Sequence, residues 1–109
     1  MQFQVKENGS VTSIRLKEKK LDSAVSSELK GEFLLLCKSK VKELVVDLSE
    51  VDFCDSSGLS ALLIAERKMR EHGGALKLVG VQKKVMNLIK ISQLDRVFNI
   101  GAEGLKNGR

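Results

Sequence analysis

Residues 44–63 read LVVDLSEVDFCDSSGLSALL, and this stretch decides the fold. Leu44-Val45-Val46-Asp47-Leu48 is a short, nearly continuous apolar run, the pattern of a parallel-sheet strand covered on both faces. A helix follows Asp55. Leu59, Leu62, Leu63 and Met69 supply its apolar positions, while Glu66, Arg67, Lys68, Arg70 and Glu71 form a wet face. Gly73-Gly74 ends it, because glycine tolerates the left-handed conformation of a helix terminus. Asp55-Ser56-Ser57-Gly58 therefore stands at the joint between a strand and a helix.

Working outward, Phe3 to Lys6 and Val11 to Leu16 are β-like runs joined by Glu-Asn-Gly-Ser, whose Asn-Gly pair signals a hairpin. Asp22 or Ser23 caps a first helix, whose Val25, Leu29, Phe33 and Leu36 share one face. Ala75 to Val79 reads as a third buried strand, Val85, Leu88 and Ile89 mark a third helix, and Val97 to Ile100 form a short last strand. The order ββαβαβαβ predicts one α/β domain over residues 1–100: a mostly parallel mixed sheet, right-handed crossovers, helices packed against it and an N-terminal β-hairpin. Residues 101–109, GAEGLKNGR, read as a short, weakly structured C-terminal tail.

A chain of 109 residues is long enough to bury a core, at roughly 65% of its unfolded surface. No apolar run approaches the ~20 residues of a membrane span, and MQFQVKENGS lacks the features of a signal peptide, so a cytoplasmic protein without membrane insertion is expected. Cys37 and Cys54 lie in apolar surroundings and read as reduced, buried thiols. The net charge is +5, with nine cations against eight carboxylates in residues 1–50 and ten against six thereafter. The basic residues are spread over several elements, and Trp and Tyr are absent. A solvated surface, not a nucleic-acid interface, is the expectation.

Enzymatic constellations are scarce. The glycines form neither GxGxxG nor GxxxxGK[ST]. Ser56 and His72 stand a whole helix apart, roughly 24 Å at 1.5 Å per residue. A single histidine without Cys-x-x-Cys spacing gives no basis for a metal site or a cofactor. Asp47, Glu50, Asp52 and Asp55 could hold Mg²⁺, but solvated loop carboxylates are the commoner meaning. Asp47 ends a central strand as the phosphoacceptor of a response-regulator receiver does, yet the first strand leads to a lone Glu7 instead of an acidic pair. The Asp55-Ser56-Ser57-Gly58 turn remains. Capping explains it, and so does a phosphorylated serine at the positive end of a helix. Spacing leaves both open.

VVDLSEVDFCDSSGLSALL, followed by GGALKLVGV, VMNLIKIS and QLDRVFNI, resembles a STAS domain, and more narrowly the bacterial anti-anti-sigma factors (anti-sigma factor antagonists). The resemblance runs from about Phe3 to Ile100. It implies a non-enzymatic regulator whose phosphoacceptor is the first serine of the motif, Ser56. It implies as partners an anti-sigma factor that is also a GHKL-type serine kinase, bound by the unmodified form to release the sigma factor, and a PP2C-type phosphatase that reverses the modification. Asp22, Asp55, Ser57 and Gly58 would then form the partner-binding switch loop, with Leu59 and Leu62 packed inward. Lys19-Lys20 replaces the Gly-Glu or Gly-Asp common before Leu-Asp in such proteins, and the tail is short for their closing helix. The rival reading is a STAS accessory subunit of a membrane lipid transporter or another signalling complex. A small nucleotide-binding or hydrolytic enzyme is the more distant one.

Overall fold

The computed structural model describes residues 1–101; the expected tail lies, beyond Gly101, outside the described residues. The chain forms β1 (Phe3–Asn8), β2 (Val11–Leu16), β3 (Lys20–Leu21), α1 (Ser23–Leu36), β4 (Glu43–Asp47), β5 (Phe53–Cys54), α2 (Ser56–Glu71), β6 (Ala75–Val79), α3 (Lys83–Ile91), a 3₁₀ turn at Leu94–Arg96 and β7 (Asn99–Ile100). Five strands make one sheet in the order β1-β2-β4-β6-β7. β1 and β2 are the expected antiparallel hairpin, and every other neighbouring pair is parallel. Asn8 still pairs with Val11, so the turn itself is Gly9-Ser10.

The core lies between one sheet face and the helices. Ile14, Leu16, Leu44, Val46 and Leu78 point inward from the strands and are fully buried against Leu29 and Phe33 of α1, Leu62 and Met69 of α2, and Val85 and Ile89 of α3. Each such side chain contributes roughly 1.5–3 kcal/mol of hydrophobic stabilisation. Leu59 and Leu62 pack inward as expected, at 5% and 0% exposure.

The expectation that β4 and β6 are covered on both faces is wrong. Burial alternates along both strands: Leu44, Val46, Leu76 and Leu78 are buried, whereas Val45, Asp47, Lys77 and Val79 are only half-buried on the outer face. All three helices send their buried residues into a single cluster on the inner face, and no helix among the described residues covers the outer face. There Arg15 Nε lies 3.1 Å from Asp47 Oδ2, in a groove of about 200 Å³ that Gln4, Lys6, Ser13, Val45 and Val79 also line. Partial burial pushes the Asp47 carboxyl up, but hydrogen bonds from the Ser49 hydroxyl and amide, with Arg15, outweigh it and hold the group below its ordinary value. Asp47 thus has a structural partner. The sequence pattern misled because β-branched residues at a half-open position look like two-sided burial.

A second difference positions the site. β3 and β5, two residues each, form a separate parallel pair with Lys20 opposite Phe53 and Leu21 opposite Cys54. Neither strand has a periodicity to read. The Lys19 carbonyl oxygen accepts from Asp52 N at 2.9 Å and from Phe53 N at 3.1 Å, and the Leu21 carbonyl oxygen accepts from Asp55 N at 3.1 Å. Because β2 and β4 are parallel neighbours, the segments leaving them run side by side and end in adjacent helix starts.

Candidate functional site

At the start of α2 the backbone of Asp55 is extended, with φ −110° and ψ −171°, and its carboxylate turns back over the first turn. Oδ1 accepts from Ser57 N at 2.9 Å, from Gly58 N at 3.1 Å and from the Ser57 hydroxyl at 2.6 Å. Asp55 is therefore the cap. The Ser57 hydroxyl first, then the Gly58 amide, hold its carboxyl below the ordinary 3.8, so it is ionised at neutral pH. The first complete helical bond, Leu59 N to the Asp55 carbonyl oxygen at 3.0 Å, follows.

This arrangement separates two serines that spacing leaves equivalent. Ser57 is half-buried and its hydroxyl is committed to Asp55. Ser56 is exposed, and its hydroxyl makes no hydrogen bond with any described residue. It also changes the electrostatic argument about the helix terminus. The amides of Ser57 and Gly58, which would otherwise attract an added anion, are already satisfied by Asp55. A charge placed on Ser56 would thus meet a carboxylate on its own turn and project outward.

Gly58 is buried, and the reason is a close approach. A Cβ there would collide with the Leu21 carbonyl oxygen and come within 2.8 Å of Cys54 Sγ and Leu21 Cβ. The helix starts so tightly against β3 that only glycine fits. Asp22 caps α1 next door, accepting from Ala24 N at 3.0 Å. The structure thus brings Asp22, Asp55, Ser56, Ser57 and Gly58 to one end of the molecule, together with exposed Lys19 and Lys20. Phe53, 46% exposed and three residues before Ser56, also lies there and was missed by sequence reasoning, because it reads as one more apolar strand residue.

The rest of the chemistry is sparse. His72 caps the far end of α2, with Nε2 2.9 Å from the Val41 carbonyl oxygen, remote from Ser56. Both cysteines are free thiols; burial pushes Cys54 up to about 12 and Cys37 up to about 11. Among the described residues no group of three or more His, Cys, Asp or Glu side chains could hold a metal ion. No helix among them is long and apolar enough to cross a membrane.

Compared with protein families, residues 2–103 match the STAS domain. This chain belongs to the STAS domain family. It is 30% identical over 109 residues to the anti-sigma-B factor antagonist of Listeria monocytogenes, covering 88% of this chain and 95% of that relative. Among solved structures, the unphosphorylated anti-sigma factor antagonist SpoIIAA superposes with a TM-score of 0.77 at 20% identity, over 94% of this chain and 90% of SpoIIAA. The fold is also shared with the murine anion transporter Slc26a9, with a TM-score of 0.73 at 20% identity; that match covers 87% of this chain but 16% of the transporter. The STAS fold expected from the Asp-Ser-Ser-Gly-Leu element is the fold found.

Proposed function

We propose that this STAS protein is an anti-sigma factor antagonist that works by partner switching in the cytoplasm, without catalysis of its own. Its unmodified form binds an anti-sigma factor of the GHKL serine-kinase type and so frees the sigma factor. That kinase phosphorylates Ser56 and ends the complex, and a PP2C-type phosphatase restores it. The observation that carries this reading is the division of labour between two neighbouring serines. Ser57 completes the cap, while the exposed Ser56 hydroxyl stands free on the first turn. The name and coverage of the Listeria relative support the same role.

A phosphoserine brings about −1.5 to −2 charges at neutral pH. With the first-turn amides held by Asp55, that charge is left to the partner's surface and to Lys19 and Lys20. A penalty of roughly 3–4 kcal/mol for desolvating it in an interface weakens binding several-hundred-fold, which is enough for a switch. Asp22, Asp55, Ser57 and Gly58 serve as the frame on which the contact surface is built.

The test is affinity capture from native cells with wild-type, Ser56→Ala and Ser56→Asp baits, with phosphosites mapped by mass spectrometry. A GHKL-type kinase should be retained by wild type and Ser56→Ala and lost from Ser56→Asp, with phosphate appearing on Ser56 alone when ATP is supplied. Recovery of transporter subunits by all three baits, with Ser56 bare, would replace this reading with that of a transporter accessory subunit.

A further inference from the structure

The two ends of the molecule carry different charge. At the end holding Ser56, segments 17–22, 48–56 and 80–84 contain five cations and five carboxylates. At the opposite end, segments 34–43 and 65–72 contain six cations and three carboxylates. The cations are nearly evenly divided; the second end is the more basic because it holds fewer carboxylates to offset them. Cys37 Sγ lies 3.8 Å from the Ala65 carbonyl oxygen, docking the end of α1 against the C-terminal half of α2. The His72 ring fastens the loop between α1 and β4 to the cap of α2 through Val41.

Within this pole, Lys68 is paired with Glu71 at 3.7 Å and Arg70 with Glu66 at 3.1 Å. Lys38, Lys40 and Lys42 are exposed and form no ion pair with a described residue. Beside them, on the last turn of α1, Leu34 is 54% and Leu35 63% exposed, while the buried face of α1 is already supplied by Leu29 and Phe33. Two adjacent exposed leucines followed by three free lysines are not explained by the core.

We propose that this pole docks reversibly on an anionic membrane surface, with Leu34 and Leu35 entering the headgroup boundary and Lys38, Lys40 and Lys42 meeting lipid phosphates. Lysine and apolar side chains together fit such a surface. A protein interface is depleted in lysine, and leucine is seldom one of its hot spots. A nucleic-acid backbone would use the lysines and leave the leucines in water. α2 runs from this pole to Ser56 over sixteen residues, about 24 Å, so a docked molecule presents its other end to the solvent.

Vesicle co-sedimentation at about 100 mM salt tests the proposal, using phosphatidylcholine vesicles with and without phosphatidylglycerol. Wild type should sediment only with the anionic vesicles. Lys38→Gln/Lys40→Gln/Lys42→Gln should weaken binding on the order of 100-fold, and Leu34→Ser/Leu35→Ser about tenfold. Lys83→Gln/Lys84→Gln at the other end should bind as wild type. All three variants change exposed positions, and unchanged circular dichroism would verify their folding. Failure to bind anionic vesicles would overturn the proposal. So would equal loss in the Lys83/Lys84 variant, indifference to the leucine changes, or preferential binding of polyglutamate or duplex DNA in competition.

Discussion

Two helices in this molecule begin with the same pair of residues, Asp-Ser, directly after two paired parallel strands, and they begin differently. At α1, Asp22 makes one hydrogen bond to an amide, and the third residue after it is Val25, a half-buried side chain packed against the core. At α2, Asp55 collects three hydrogen bonds, and the third residue after it is Gly58, pressed on the Leu21 backbone. Ser23 and Ser56 are both exposed. What distinguishes the second turn is its rigidity: cap, hydroxyl and strand all fix the backbone that presents Ser56. A helix start is common, whereas one bonded on every side points to a turn that must hold its shape.

The strongest way to break this contrast is Gly58→Ala. The added methyl has no room, and overpacking of this kind costs roughly 1–3 kcal/mol or more. Chemical denaturation should show that loss, and a change within about 0.5 kcal/mol would mean that α2 can shift away from β3. Removal of the caps comes next. Asp22→Ala should cost about 1 kcal/mol, and Asp55→Ala should lower the thermal midpoint further than Asp22→Ala does. Equal midpoints would erase the distinction between the two turns.

Acid sharpens the comparison. The Asp55 carboxyl is held below its ordinary 3.8 in the folded chain, so its stabilisation is fully present above that value and is lost as pH falls through the lower folded value. The gap in thermal midpoint between wild type and Asp55→Asn should stay constant from neutral pH to about 5 and close below the ordinary value. A gap that widened in acid would contradict the hydrogen-bonding assigned here. At the mild end, Gly31→Ala on the open face of α1 meets nothing within 4 Å and should stabilise by about 0.5–1 kcal/mol. That result contrasts one glycine kept for space with another that space does not require.

The parts of this structure that the sequence revealed are those governed by local repetition. The apolar face of α1 through Leu29 and Phe33, the hairpin that turns at Gly9-Ser10 and the closure of α2 after Glu71 each follow from a period or a turn residue. The outer face of β4 was hidden because Val45 satisfies two descriptions at once. β3 and β5 were hidden because a two-residue strand has no period, and its pairing partner stands 33 positions away. At the site, the Asp-Ser-Ser-Gly element was conspicuous, but the roles within it were not. Which hydroxyl is spent on the cap depends on the path of the backbone at Asp55, and adjacent serines carry no mark of it.

The pairing of β3 with β5 has a consequence for how the chain matures. The turn around Ser56 takes its shape from hydrogen bonds to Lys19 and Leu21, contacts of long sequence separation whose loop-closure cost must be met before they form. A nascent chain that has emerged only through the first helix has one half of this frame, and an isolated peptide spanning 50–64 has only the other. The shaped turn forms only when both halves have docked, so it reports completed folding of this part of the chain.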